Sequence, residues 1–199
     1  MQQDIIKEFE LHKKWIETIG EEGEMLILDE MDLRNFDFFD KILEQSQITE
    51  CNFNETRLEE INFSGTLLGL STFRKCYFNE CDFYRSDLRY TDFSNSIIKN
   101  TRFSKSDWWK ADFQNTHLID CNLIKVFFNE TDLSHAVLEN IDISAAKFEK
   151  TILKDITLIN IKGIEEAYVE SINIGTIEVP ILLYLEQAKE WIFNNCLIN

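Results

Sequence analysis

The stretch that decides the fold is CDFYRSDLRYTDFSN, residues 81–95. Divided into fives it reads CDFYR, SDLRY and TDFSN, so a small residue, an Asp, a large apolar residue and two variable residues follow one another three times. A helix buries residues three and four apart, and a strand buries alternate residues. A period of five fits neither element, and it therefore predicts a chain that changes direction at regular intervals.

The five-residue period extends over most of the chain. From Leu33 to Leu158 every fifth residue is Leu, Phe, Ile or Trp, in 26 consecutive positions that we call the centres. Two residues before each centre, from Ser46 to Ile156, stands a small or β-branched residue. Because two positions in five face inward, we expect the backbone to turn through about 90° every five residues and to close a square after four such segments.

Successive squares are expected to stack with their rungs about 4.8 Å apart, as in any sheet. Centres one coil apart then form columns. We number the four walls by their centres, so that the first wall contains Phe93, the second Ile98, the third Phe103 and the fourth Trp108. The columns predicted for the first and third walls are Phe53, Phe73, Phe93 and Phe113, and Phe63, Phe83 and Phe103.

This pattern resembles the pentapeptide-repeat family, whose consensus is Ala, Asp or Asn, Leu and two variable residues. The resemblance spans roughly Leu28 to Gly163. It implies an all-β solenoid, a right-handed quadrilateral β-helix of about six to seven coils. A fold of this kind implies no activity by itself.

The flanks divide the chain into a capping helix at residues 1–23, the repeat at 24–163 and a tail at 164–199. In the first segment Ile5, Phe9, His12, Ile16 and Ile19 share one helical face, and Gly20 and Gly23 are expected to end the helix. In the tail a strand-like segment precedes a helix in which Leu185, Ala188 and Ile192 share a face. The tail is interpreted either as a cap on the other end of the solenoid or, as in some members of the family, as the contact of a two-fold homodimer.

Composition excludes several classes of function. The net charge of −16, from 36 acidic and 20 basic residues, argues against direct nucleic-acid binding. The sequence contains no signal peptide and no apolar run of membrane length, so a cytoplasmic protein with free thiols and no membrane contact is predicted. Cys51, Cys76, Cys81 and Cys121 fall in the small inward register and match no zinc spacing. No cofactor or metal and no catalytic arrangement are predicted, and the protein is expected not to be an enzyme.

Stacking also predicts two candidate partner surfaces. The first is an acidic side on the first and second walls, opposite a basic side that contains Arg85, Lys105 and Lys125, with Arg89 and Lys110 next to it. A merely solvated charged face is the alternative. The acidic residues are Glu60, Glu80, Asp92, Asp112, Asp120 and Asp132.

The second candidate surface is apolar and lies on the fourth wall. Trp109 follows the inward Trp108, so Trp109 is expected to point away from the core. A contiguous exposed apolar patch often marks an interface, although a flank folded over it is the alternative. The residues of this surface are Leu67, Leu70, Tyr90, Trp109 and Phe127.

The function predicted from these features is a non-enzymatic scaffold that binds a protein partner in the bacterial cytoplasm. The family resemblance implies an alternative: a DNA mimic that protects or inhibits a type II topoisomerase, DNA gyrase or topoisomerase IV, and confers antibiotic or toxin resistance. Between Glu24 and Lys162 there are 24 acids and 16 bases, a net charge of −8. Duplex DNA of the expected rod length, roughly 31 Å, carries about 18 phosphates. The charge density of the rod is therefore less than half that of DNA. Mimicry also requires a dimer, because only a tail-to-tail dimer would reach a useful length.

Overall fold

The computed structural model of the protein describes the backbone of residues 2–197 and the side chains of residues 5–197. It is a parallel β-solenoid of about seven coils, which we call the rod. A helix precedes the rod and a strand-and-helix tail follows it, as the sequence predicts. The helices are α1 (Gln2–Glu17) and α2 (Leu185–Asn194). The strands are β1 (Ile27–Asp29), β2 (Gln47–Thr49), β3 (Arg57–Glu59), β4 (Tyr77–Asn79), β5 (Ile97–Lys99), β6 (His117–Ile119), β7 (Phe127–Asn129), β8 (Val137–Glu139), β9 (Lys147–Glu149), β10 (Thr151–Ile152), β11 (Thr157–Ile159), β12 (Tyr168–Val169), β13 (Ser171–Asn173), β14 (Leu182–Tyr184) and β15 (Cys196–Leu197).

The coils close after 20 residues on every wall. On the second wall β3, β4, β5, β6, β8, β11 and β15 form one sheet, in which Ile98 pairs with Phe78 on one side and with Leu118 on the other. The first and third walls are joined by single bridges such as Asp92 with Asp112. Each bridge links residues 20 apart, so the square inferred from the five-residue period is confirmed.

The centres form the core. All 26 are buried. On the first wall the ring centroid of Phe93 lies 4.8 Å from that of Phe73 and 4.7 Å from that of Phe113, with nearly parallel planes. On the third wall Phe83 and Phe103 stack at 4.8 Å. The predicted columns are therefore confirmed, and their spacing is that of the backbone ladder.

The small residues of the second register fill the narrow space between the columns. From Ser46 to Ile156 they are buried, apart from Thr56 and Ile156, which are half-buried. Their hydroxyls bond to backbone carbonyls, as when Ser96 Oγ donates to the Phe73 oxygen at 2.6 Å. Because buried polar groups are costly when unpaired, these bonds let Ser and Thr lie inside the rod.

The corners have a left-handed backbone conformation that has no signature in the sequence. The residue two positions after a centre has a positive φ, for example 56° at Glu80, 64° at Lys105 and 54° at Ala145. The left-handed region costs a residue with a side chain about 1–2 kcal/mol. From Asp40 to Asn160 only Gly65 is a glycine among these corners, so the ladder of each wall must offset the cost.

Helix α1 covers the N-terminal end of the rod. Ile5, Phe9 and His12 are buried, and the ring centroid of Phe9 lies 5.2 Å from that of Phe36. The helix ends at Glu17, so Ile19 lies outside it and is exposed rather than on the buried face. Gly23 is needed at the return of the chain, since a Cβ there would lie 2.2 Å from the backbone oxygen of Leu11.

Stacking continues beyond residue 163, where the five-residue period stops in the sequence. Strand β12 pairs with β9 and β13 pairs with β10, but the partners are 21 residues apart, as in Ile172 with Thr151. One extra residue therefore enters this last coil. Strand β14 then runs antiparallel to β13 and forms the edge of that sheet.

The rest of the tail folds back over the C-terminal end of the rod. Ala188 and Ile192 of α2 are buried, and Ile192 lies among the last centres. Strand β15 pairs with β11, which extends the second wall by one strand. Leu185, expected on the same helical face, is 65% exposed because α2 begins at that residue on the outer side of the tail.

Candidate functional surfaces

The first-wall acidic residues have a role in the fold. Asp92, Asp112 and Asp132 form one column of bridged residues. In each, Oδ1 accepts a hydrogen bond of 2.9 Å from the backbone N–H two residues later. Bonds of this kind stabilise turns in which Asp is preferred. The same bond recurs on other walls, for example from Tyr84 N–H to Asp82, so the Asp of the repeat serves the corner.

The charge of this column is partly compensated. Arg74 Nε donates to Asp92 Oδ2 and pairs with it. Burial, followed by the charges of Asp92 and Asp132, raises the pKa of Asp112. The Arg74 guanidinium therefore offsets part of the negative charge of the column.

The second-wall acids stand at corners. Glu60, Glu80 and Asp120 have φ of 55–57° and are exposed. Asn100 and Asn140 flank Asp120 in the same column, and Asn140 Nδ2 donates to Asp120 Oδ1 at 2.9 Å. Amide neighbours of this kind relieve the repulsion that stacked carboxylates would otherwise cause.

These two acidic columns do not adjoin. Asp112 and Asp120 are eight residues apart on a coil of 20, so nearly half of the circumference separates them. Each column makes its own hydrogen bonds, and among the described residues no bond joins the two sets. The rod has two narrow acidic ridges instead of one acidic side.

The fourth wall holds the apolar residues that the sequence singles out. Leu67, Leu70, Tyr90 and Phe127 are 38–54% exposed, and Trp109 is half-buried. The ring centroids of Tyr90 and Trp109 are 5.2 Å apart. The aromatic pair lies in the middle of the rod, at a distance from both flanks along the chain.

Charged residues divide this wall. Asp87 and Asp107 stand between Leu67 and Phe127 in one column. Asp87 pairs with Arg89, while burial and then the charge of Asp87 raise the pKa of Asp107. The apolar residues therefore form two groups with a polar strip between them.

The tail adds to the fourth wall. Strand β12 continues it beyond β9, and Tyr168 and Leu185 are each 65% exposed. Together with Phe127 and Phe148 they line a groove of about 770 Å³. We call seven outward residues, of which Trp109 is half-buried and the others exposed, the fourth-wall surface: Leu67, Leu70, Tyr90, Trp109, Phe127, Tyr168 and Leu185. The sequence does not place Tyr168 on this wall, because the 21-residue step interrupts the period, and Leu185 was expected on the face that it shares with Ala188 and Ile192.

A second groove lies between the first wall and the tail. It has a volume of about 520 Å³, and Asp112, Asp132 and Lys150 face Ile177 and Leu182 across it. A bare solenoid would have no such cleft. The polar side chains that line the two grooves are those of Asp, Glu, Lys, Asn, Gln and Tyr.

Comparison with known proteins agrees with this geometry. The family model for pentapeptide repeats (8 copies) matches residues 68–104, 96–134 and 111–149. The coils on either side of these residues, described above, follow the same period. The chain is a pentapeptide-repeat protein.

Solved structures share this pentapeptide-repeat fold. HetL, a pentapeptide-repeat protein involved in heterocyst differentiation regulation in the cyanobacterium Nostoc sp. strain PCC 7120, aligns with a TM-score of 0.54 and 20% identity over 61% of this chain. The alignment spans only 50% of HetL, so the likeness concerns the fold alone.

Two further pentapeptide-repeat structures align with lower scores. Rfr23 from the cyanobacterium Cyanothece 51142 has a TM-score of 0.40 and 17% identity, over 59% of this chain and 80% of its own. Full-length QnrB1, a plasmid-mediated fluoroquinolone resistance protein, has a TM-score of 0.34 and 14% identity, over 77% and 93%. No curated protein matches the sequence significantly.

Four of the five thiols of this pentapeptide-repeat protein are buried within the repeat, and the fifth, Cys196, is half-buried in the tail. Cys51, Cys76, Cys81 and Cys121 are free and lie inside the rod, and Cys81 Sγ bonds to the Leu58 carbonyl at 3.4 Å. Burial raises the pKa of Cys51 to about 11 and that of Cys121 to about 12. At neutral pH these thiols are protonated and unreactive.

Two kinds of feature are absent from residues 2–197. No group of three or more His, Cys, Asp and Glu side chains is placed to hold a metal ion. No helix in that range has the length and apolar character needed to cross a membrane.

Proposed function

We propose that this protein is a non-enzymatic interaction scaffold of the bacterial cytoplasm that binds a protein partner through the fourth-wall surface. The observation that carries the proposal is the pair of Tyr90 and Trp109, whose rings lie 5.2 Å apart on the outside of the rod. Aromatic residues are enriched at the centres of protein interfaces, where they dominate the binding energy. The Tyr90 side chain is exposed and so is accessible to a partner, which favours a binding role.

The surroundings of the pair suit an interface. Lys110 Nζ lies 5.4 Å from the ring centroid of Trp109, and Asp87 and Arg89 form an ion pair beside it. A central apolar contact with charged residues at its rim is the usual arrangement of a specific interface. The groove at Phe127 and Tyr168 lengthens this surface toward the tail.

The test compares the binding affinities of alanine variants at three aromatic residues. Tyr90→Ala and Trp109→Ala each remove an aromatic anchor of the fourth-wall surface, whereas Tyr77→Ala removes a half-buried tyrosine on the second wall, beneath Arg57. With the purified partner, each fourth-wall variant is expected to weaken binding by about 2 kcal/mol, roughly 30-fold, and the control to have little effect. Equal affinities of all the variants and the unaltered protein would remove this surface from consideration.

The tail supports self-association through a different face from the one that caps the rod. Strand β14 is a sheet edge with one side unpaired, and it lies in an apolar run, residues 179–185. Ile181, Leu182 and Tyr184 are exposed there. Unprotected apolar edges pair readily with other strands, and two copies of one strand related by a two-fold axis pair antiparallel. A homodimer is therefore part of the proposal.

A second candidate function is protection or inhibition of a type II topoisomerase by DNA mimicry. One observation favours it: the column of Asp112 and Asp132 continues through Ile152 and Asn173 to Leu182 on adjacent rungs. In a dimer joined at β14, the acidic columns of both copies would lie along one wall. The basic corners Arg85, Lys105 and Lys125 in the same coils count against it.

A supercoiling assay tests this second candidate. Purified DNA gyrase or topoisomerase IV is treated with a quinolone in the presence and absence of the protein, and Asp112→Asn/Asp132→Asn is the variant. Mimicry predicts that the protein restores or inhibits supercoiling and that the variant acts more weakly. If the supercoiling activity of the topoisomerase is the same with and without the protein, DNA mimicry is eliminated as a function.

A further inference from the structure

A cluster of cations surrounds Tyr84 on the third wall. The guanidinium carbons of Arg102 and Arg85 lie 4.5 and 5.3 Å from the Tyr84 ring centroid. Lys105 Nζ lies 5.1 Å from the same centroid and donates a hydrogen bond of 2.9 Å to Tyr84 Oη. The bond from Lys105, with the charges of Arg85, Lys105 and Arg102, lowers the pKa of Tyr84.

The cluster continues along one corner of the rod. Arg85 N–H donates to the Ser104 oxygen and Lys105 N–H to the Ile124 oxygen, so Arg85, Lys105 and Lys125 occupy successive rungs. Their Cα atoms are therefore about 5 Å apart. Like charges in direct cross-strand contact destabilise a sheet.

Most of this positive charge has no ion-pair partner among the residues that the structure describes. Arg102 is paired with Asp82, but no ion pair of the described residues includes Arg85, Lys105 or Lys125. The chain carries 36 acidic residues, and elsewhere on the rod acids do pair with bases. Three adjacent cations with no acidic partner among residues 5–197, on a protein of net charge −16, point to a ligand that supplies the negative charge.

We propose that Arg85, Lys105 and Lys125, with the Tyr84 hydroxyl, form a binding site for a phosphoryl dianion. A phosphomonoester carries a charge of about −1.5 to −2 and three strong acceptor oxygens, so it neutralises two cations at once. A carboxylate carries one charge and neutralises only one. Arginine and lysine are the side chains that bind phosphate, through paired N–H groups and a point charge respectively.

The positions of the side chains suit this ligand. Asp82 and the ring of Tyr84 hold Arg102 in place. Arg85, Lys105 and Lys125 are exposed, and the Lys105 ammonium keeps two N–H donors beyond the one that bonds to Tyr84 Oη. A long nucleic acid fits less well, because a polyanion would approach a strongly acidic protein with three cations at the contact. The site lies on the third wall and does not depend on the function proposed for the fourth.

The test is a titration of the ¹⁵N-labelled full-length protein at constant ionic strength, followed by amide chemical shifts. The probes are inorganic phosphate, phenyl phosphate and a short phosphotyrosine peptide, with acetate and the unphosphorylated peptide as controls. Saturable shifts at Tyr84, Arg85, Lys105 and Lys125 with the phosphorylated probes are expected. Tighter binding of the peptide than of inorganic phosphate would identify a phosphorylated protein as the source of the ligand, and equal binding a free phosphate compound.

Matched variants decide the result. Arg85→Gln/Lys105→Gln is expected to weaken phosphate binding at least tenfold, and Lys75→Gln/Lys99→Gln, which removes the same charge from other parts of the surface, to leave it unchanged. The proposal is overturned if both double variants bind as the unaltered protein does, if acetate shifts the same amides with equal affinity, or if the shifts spread evenly over all surface lysines.

Discussion

Replacement of Phe93 by Ala is the perturbation that probes the stacked core most sharply. The Phe93 side chain is fully buried between Phe73 and Phe113, with centroid distances of 4.8 and 4.7 Å. Its loss removes the burial of one aromatic ring and leaves a cavity, which costs about 3–5 kcal/mol in protein cores. Two stacked pairs are lost as well, each worth about 0.5–1.5 kcal/mol beyond burial.

The upper end of this range is expected, about 5 kcal/mol, because the ladders hold the walls apart and prevent the cavity from collapsing. With a urea slope of about 2.5 kcal/mol/M, the unfolding midpoint falls by about 2 M. The assay is urea unfolding followed by both circular dichroism and tryptophan fluorescence. Phe39→Ala is the control, since Phe39 is 74% exposed and its loss is expected to cost no more than about 0.5 kcal/mol. A loss below about 1 kcal/mol for Phe93→Ala, or equal losses for the two variants, would refute the stacked core.

Three further predictions concern the cap, the corners and the tail. Burial lowers the pKa of His12, whose Nδ1 accepts a hydrogen bond from Leu26 N–H at 3.0 Å, so the stability that the neutral ring contributes should be full above pH 6.5 and fall as the pH drops below it. In thermal melts at a series of pH values, the loss of stability toward low pH should be smaller in His12→Gln than in the unaltered protein, and unchanged in His135→Gln. The same pH dependence in all three proteins would count against a neutral His12 ring. Ala145→Gly should stabilise the protein by about 0.5–1 kcal/mol in urea unfolding because φ there is 54°, and a loss would contradict the strain assigned to the corners. Light scattering should give twice the monomer mass of 23.6 kDa. Salt should strengthen the association because it screens the charge of −16 on each copy, and Leu182→Lys should abolish it. A monomer mass at every salt concentration would exclude the dimer.

The repeat could be predicted in detail because its signal lies in single residues. Leu, Phe, Ile or Trp at every fifth position identifies the inward side without any assumption about turns, and the burial of Trp108 beside an outward Trp109 follows directly. The cysteines of the small register were predicted to be buried for the same reason. The structure bears out each of these.

Features without a local pattern could not be predicted. Positive φ at corners such as Glu80 has no signature, because glycine is nearly absent there and the ladders stabilise the conformation. The 21-residue step after Gly163 hides the last coil, and with it Tyr168. The acidic residues were identified, but their role in the corners depends on the geometry of the backbone turn, and the distance between the two columns on the circumference depends on how the walls close.

The proposed partner surface is tested most directly by site-specific photo-crosslinking in the host cell. A benzophenone amino acid replaces Tyr90 in one variant and Tyr77 in the other, so that the same probe lies on the fourth wall or on the second. We expect one specific protein adduct from position 90 and little or none from position 77, with the adduct from position 90 lost when Trp109→Ala is added. Adducts of equal yield from both positions, or from position 77 alone, would contradict it.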